Sequence, residues 1–265
     1  MGATVPDILA FDFDGVLCDG LVEYYQTAWQ AHGQLFPHSP ETPPPGLAEQ
    51  FYRLRPLVET GWEMPVLLQA LLQGISEAEI GHDWPSLAKT LVAAADLTPR
   101  QVAQAVDCTR DRWIQADLDH WLSQHRFYPG TLERLQQAMA AGVFAVIIST
   151  KEGRFIRQLL AQRGIELADE QVFGKEVKQP KYETLRQVKA GYAERRQLVP
   201  QVWFLEDRLQ ALEAVRQQID LGSVELFLVD WGYNTEADRQ QARQQERIHL
   251  LSLSQLVQGF DCWIA

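Results

Sequence analysis

Short apolar runs punctuate the chain at 7–13 (DILAFDF), 143–149 (VFAVIIS), 171–174 (QVFG), 201–205 (QVWFL) and 224–230 (VELFLVD). They are nearly continuous in apolar residues, the pattern of strands buried on both faces. Between them, at 131–141, 152–163, 181–197 and 208–219, apolar residues recur at helical spacing. Strands alternating with helices predict parallel βαβ units and a doubly wound, mostly parallel α/β sheet. A further helical pattern covers 235–246, and 251–258 predicts a short last helix.

The alternation breaks once. After the first run no strand pattern occurs before residue 143, and 20–35, 47–73, 84–95 and 99–122 all carry helical spacing. The last of these opens with Thr98 as N-cap and Pro99 at the first helical position. The stretch 38–46, HSPETPPPG, is too proline-rich to be anything but a loop. These helices predict an inserted α-helical subdomain over 19–126, with the core built from 1–18 and 127–265. Tyr128-Pro129-Gly130 marks the return to the core, and Thr131 is expected to cap the helix that follows. Asp19 is expected to cap the first inserted helix, and Trp29, Trp62, Trp84, Trp113 and Trp121 to form the insertion's core. Arg53, Arg55, Glu59 and Glu63 crowd around Gly61-Trp62. Their default reading is a solvated face; the sharper one has Arg53 or Arg55 recognising an acidic group.

At 265 residues the chain suits one large α/β domain or two smaller ones. A formal net charge of -11 without a basic cluster argues against nucleic acid as a partner. A small phosphorylated molecule stays compatible, because it needs only local positive charge. Cys18, Cys108 and Cys262 are widely spaced and form no CxxC, so they read as free thiols in a reducing compartment. No apolar run approaches the length of a membrane span, and Asp7 interrupts what a signal peptide would need. After Met1-Gly2, Pro6 stands where myristoylation needs Ser or Thr. A cytoplasmic protein without a membrane partner is expected; oligomeric state has no signature here. The histidines at 32, 38, 82, 120, 125 and 249 show no H-x-x-x-H spacing, which argues against zinc.

Chemistry concentrates at the ends of the predicted strands. Asp12 and Asp14 close the first run before Gly15, and alternation on extended backbone lets both project toward one pocket. Two carboxylates so close repel, so the pair calls for a cation, a shared proton or a catalytic task. Ser149 and Thr150 close the second run, where a hydroxyl near helix-opening N–H groups suits an anionic oxygen. Lys181, or alternatively Lys178, lies at or before a helix start, and Glu206-Asp207 ends QVWFL. Arg208 and Lys151 are expected mainly as surface charges, Lys151 within reach of a phosphate. Acid pair, hydroxyl, lysine and acid pair form an inventory for phosphoryl transfer: nucleophile, metal ligands and charge compensation.

Over nearly its whole length the chain resembles the haloacid dehalogenase superfamily. DFDGVLCDG resembles that family's first motif, IIST its second, the lysine its third and FLEDR its fourth. The helical insertion resembles the family's cap, and FYPGTLERL and WGYNT resemble segments of phosphoglycolate-phosphatase-like members. LVEYYQTAW, RPLVETGWE and LVDWGYNT resemble a cyanobacterial and plant branch, a likeness that supplies no substrate. The resemblance implies that Asp12 is a nucleophile forming an aspartyl-phosphate and Asp14 the general acid/base. It also implies Mg²⁺ held by Asp12, Asp14 through its carbonyl, and Asp207, with Ser149, Thr150 and the lysine on phosphate. Family members often carry another Asp four residues after the fourth-motif Asp; Ala211 stands there, so either Glu206 compensates or the metal site is weaker. The implied activity is hydrolysis of a small phosphate monoester beneath a closing cap. A phosphomutase of the same fold and a non-catalytic binding protein are the alternatives.

Overall fold

The computed structural model describes residues 5–37 and 39–264. Residues 1–4, His38 and Ala265 lie outside the described residues, and with them the Met1-Gly2 start and the first position of the proline-rich loop. The strands are β1 (Ile8–Phe11), β2 (Cys18–Asp19), β3 (Arg126–Phe127), β4 (Phe144–Ile148), β5 (Val172–Phe173), β6 (Val202–Glu206), β7 (Val224–Val229) and β8 (Ile248–Leu251). The main sheet has 6 strands in the order β5-β4-β1-β6-β7-β8. Every pairing in it is parallel. β2 and β3 form a separate antiparallel pair. The chain has two compact units, Met1–Asp19 with Arg126–Ala265, and Gly20–His125.

The second unit is helical: α1 (Leu21–Leu35), α2 (Leu47–Leu54), α3 (Glu63–Leu72), α4 (Glu77–His82), α5 (Trp84–Ala94), α6 (Pro99–Ala116) and α7 (Leu118–Ser123). Its core joins Ala28, Phe51, Leu67, Leu68, Ile80, Trp84 and Val102. Trp84 and Trp121 are buried, whereas Trp29, Trp62 and Trp113 are only partly so. Two segments expected as single helices are broken. In 47–73, Pro56 lacks the N–H that a continuing helix needs, and the chain tightens into a 3₁₀ turn at Arg55–Leu57. In 99–122, the Asp117 carboxylate accepts the N–H of His120 and starts a new helix. Sequence reading missed α4, whose capping box pairs Ser76 with Glu79.

The charges near Gly61-Trp62 do not form one solvated face. Glu63 is buried and accepts from the N–H of Glu59 and Thr60, the Thr60 hydroxyl and Trp84 Nε1. Arg53 pairs with Glu77, and Arg55 donates to the Val58 carbonyl while lying over the Tyr24 ring.

In the first unit the strands alternate with α8 (Thr131–Ala140), α9 (Gly153–Ala161), α10 (Lys181–Arg196), α11 (Leu209–Arg216), α12 (Glu236–Arg243) and α13 (Leu253–Leu256). Both sheet faces are covered, which explains the unbroken apolar runs. Ile8, Ala10, Phe204 and Leu226 meet Leu185, Val188 and Leu212 of the helices. Alternation sends Trp203 and Phe227 to the other face, where Trp203 lies 5.6 Å from Trp263 and 5.5 Å from Phe260, centroid to centroid. Strand β8 was not anticipated. IHLL is short and preceded by Glu246 and Arg247, and it becomes a strand because β7 offers a parallel edge, Leu226 opposite Ile248 and Val229 opposite Leu251. Two expected caps also fail. The N-caps of α1 and α8 are Gly20 and Gly130, neither with a side-chain cap bond. Asp19 instead accepts the Tyr233 hydroxyl, and Thr131 donates to the Tyr128 and Leu17 carbonyls. Among the described residues no helix is long and apolar enough to cross a membrane.

Candidate active site

Strand order reverses at β1: the chain builds outward through β4 and β5, then returns to β1's other edge with β6. In open α/β sheets such a switch point opens a crevice at the strands' carboxyl ends. The register sets Phe11 beside Ile147 and Leu205, so Asp12, Ser149 and Glu206-Asp207 all leave the sheet at one place. The sequence achieves this locally by ending each apolar run in a polar residue. Gly15 then turns the chain at φ 86°, a conformation natural to glycine.

Asp12, Glu206 and Asp207 are buried, and each offers a carboxylate oxygen within 4.8 Å of the others. Lys181, the first residue of α10, reaches into this group. Its Nζ stands 2.6 Å from Glu206 Oε2 and 3.0 Å from Asp12 Oδ2. The carboxylates are further held by main-chain donors. Phe13 N–H donates to Asp12 Oδ1 at 2.7 Å, and Asp207 and Arg208 N–H both donate to Glu206 Oε1 at 3.0 Å. Burial pushes the Asp12 carboxyl up to about 7; Lys181 opposes the rise and the Glu206 charge adds to it. Burial is also the leading cause that raises Glu206 and Asp207, with Lys181 pulling the first down and the Asp12 charge pushing the second up. Burial alone would lower the ammonium of Lys181, but the charges of Asp12 and Glu206 raise it above the ordinary lysine value.

Asp14 stands apart from that cluster and pairs with Lys151, whose Nζ lies 3.2 and 3.3 Å from its two carboxylate oxygens. Lys151 is no surface charge: its side chain is 8% exposed. Nor is Arg208 simply solvated, because its Nη1 donates to the Tyr233 carbonyl at 2.7 Å. Ser149 is buried, and its Oγ accepts the Lys151 N–H at 3.3 Å. Thr150 is exposed. Lys178, the alternative lysine, is also exposed and sits at φ 53° after the 3₁₀ turn Lys175–Val177. Ala211 lies in α11, and Glu206 furnishes the third carboxylate of the cluster.

Sequence reading missed the loop that holds Asp207. Tyr233 N–H donates to Asp207 Oδ2 at 2.7 Å, and Asn234 Nδ2 donates to the Asp207 and Val229 carbonyls. Gly232 is required there, since a Cβ would lie 2.3 Å from Asp207 Cβ and 2.5 Å from the Gly15 carbonyl. The only sequence signal was WGYNT directly after an apolar run.

The donor set accommodates a hard divalent cation. All three close ligands are carboxylate oxygens, the chemistry that suits Mg²⁺. With Asp12, Asp14, Glu206, Asp207, Lys151 and Lys181 all ionised, four negative charges against two positive leave two negative.

No protein-family model matches the chain, and no curated protein does. Among solved structures 51 chains match. A Bacteroides fragilis protein provisionally assigned as a haloacid dehalogenase-like hydrolase is 20% identical, with TM-score 0.54 over 95% of this chain and 99% of that one. A Clostridium difficile protein provisionally assigned as a phosphatase is 14% identical, with TM-score 0.59 over 96% and 97%. A Haemophilus somnus protein named as a predicted phosphoglycolate phosphatase is 14% identical, with TM-score 0.55 over 88% and 89%. At these identities the likeness establishes the fold, and the chain has the haloacid dehalogenase-like fold.

Proposed function

We propose that the protein is a Mg²⁺-dependent hydrolase of a small phosphate monoester. The observation that carries this reading is Asp12: a buried carboxylate at the switch point, 3.0 Å from Lys181 Nζ and grouped with Glu206 and Asp207. The structural neighbours assigned as phosphatases support it.

In this reading an Asp12 carboxylate oxygen attacks phosphorus and forms an acyl phosphate, while the ester oxygen leaves with a proton from Asp14. Asp14 then takes a proton from water, whose oxygen attacks the same phosphorus, and inorganic phosphate leaves as the Asp12 carboxylate is restored. Ser149 and Lys181 hold phosphoryl oxygens through charge-assisted or hydroxyl hydrogen bonds. Asp12, Asp207, the Asp14 carbonyl and Glu206 would hold Mg²⁺, which when bound supplies charge compensation for the acids and the phosphoryl group.

Phosphate release from a panel of small monoesters, with Mg²⁺ and with chelator, tests the reading against Asp12→Asn. Turnover that is lost in the variant and in chelator is expected. Isomerisation of a sugar phosphate without net phosphate release would replace the hydrolase with a mutase. Absence of both, in folded protein, would leave a binding protein.

A further inference from the structure

We propose that Lys151 is a substrate-contacting residue of this site, a second phosphate-binding cation that Asp14 holds in reserve. The inference rests on the phosphomonoesterase reading and extends it to a residue outside the sequence motifs.

Lys151 belongs to the turn between β4 and α9, and β4 runs beside β1 with Ile147 opposite Phe11. The turn that carries Lys151 therefore faces the turn that carries Asp12 and Asp14. The turn is stitched in place from below: Lys175 N–H donates to the Lys151 carbonyl, and Glu176 accepts the N–H of Gly153 at the start of α9. Lys151 N–H donates to Ser149 Oγ, which leaves the hydroxyl proton of Ser149 available to a phosphoryl oxygen.

The Lys151 side chain is 8% exposed, and that of the partner it meets, Asp14, is 17% exposed. A cation this far removed from water is held only where charges face it. Lys181 is differently placed: it already faces both Asp12 and Glu206. A monoester phosphate brings two negative charges into the crevice at neutral pH, where a diester brings one. One phosphoryl oxygen can replace the Asp14 carboxylate at Lys151 by a charge-assisted hydrogen bond of the same kind. The exchange withdraws the ammonium from Asp14, which then takes a proton from solvent water and carries it to the leaving oxygen. Lys151 thereby favours dianionic monoesters over monoanionic diesters, and substrate arrival releases the acid/base that the reaction uses.

Three measurements test this: turnover of p-nitrophenyl phosphate, inhibition by inorganic phosphate, and calorimetric binding of inorganic phosphate, all with Mg²⁺. Lys151→Met is expected to raise KM and weaken phosphate binding and inhibition by about tenfold or more, while Lys151→Arg stays within a few-fold of native. The gap between p-nitrophenyl phosphate and bis(p-nitrophenyl) phosphate should narrow in Lys151→Met. Asp14→Asn, read by calorimetry, should bind phosphate at least as tightly as native, because the Asp14 charge no longer competes for Lys151. Unchanged KM and phosphate affinity in Lys151→Met, with native turnover intact, would overturn the role of Lys151 and spare the phosphatase. If the native protein turns over no ester, the phosphatase reading fails, and calorimetry still decides whether Lys151 binds phosphate. If Lys151→Met does not fold, weaker phosphate binding by Asp14→Asn would overturn the reserve role.

Discussion

Tyr233 N–H donates to Asp207 Oδ2 at 2.7 Å, so the loop after β7 holds the acid that directly follows β6. The contact depends on Gly232. Gly232→Ala places a Cβ against Asp207 and the Gly15 carbonyl, neither of which is a yielding side-chain tip. Overpacking of this kind costs about 1–3 kcal/mol, and the shift should also displace the carboxylate from its cluster. Chemical denaturation together with Mg²⁺ titration checks both effects. Native stability and native metal response in the variant would refute the role given to this loop.

Mg²⁺ should stabilise the native protein, since a ligand of the folded state adds about 2.7 kcal/mol at a hundred times its Kd. Asp207→Asn and Glu206→Gln each remove one of the three grouped carboxylates, and the thermal shift should shrink in both. Equal shifts in all three proteins would mean that the cation binds elsewhere.

In the helical unit, Glu23 is buried and accepts from Thr27 Oγ1, from Arg110 Nε at 2.8 Å and from Trp121 Nε1 at 3.1 Å. It ties α1 to α6 and α7. Glu23→Ala strips the charge partner from Arg110 and removes the carboxylate that Thr27, Arg110 and Trp121 donate to. Breaking a buried pair by removing one member costs about 3–5 kcal/mol, which urea denaturation would resolve. A loss below about 1 kcal/mol, the size typical of an exposed pair, would show that the pair is solvated.

His32 supplies a pH dependence independent of the active site. It is buried, with Nε2 2.8 Å from Gln69 Oε1 and Nδ1 3.0 Å from Ser39 Oγ. Burial lowers its pKa from 6.5 in the folded chain, with the Gln69 hydrogen bond opposing. The unfolded chain therefore takes up the proton first as pH falls. The stability tied to neutral His32 is complete above 6.5 and is lost as pH falls from there through the lower folded value. Stability curves of native protein and His32→Gln should converge on acidification from pH 7.5 to 5. Parallel curves would assign the titration to another group.

What the chain determines by itself is whatever depends on neighbours in sequence. Apolar runs alternating with helical spacing specify parallel βαβ units, because covered strands and amphipathic helices have different periods. The same locality made Asp12, Glu206 and Asp207 legible as candidates, since each stands at the end of an apolar run. Tertiary structure decided what depends on partners distant in the chain. That Lys181 meets the acids while Lys178 is exposed depends on where α10 begins relative to β6. Lys151 meets Asp14 across 137 positions, and Tyr233 reaches Asp207 across 26. The short IHLL segment becomes β8 because β7 presents an edge to it. A charge looks alike in sequence whether water or a carboxylate surrounds it, and only packing of the folded chain determines which.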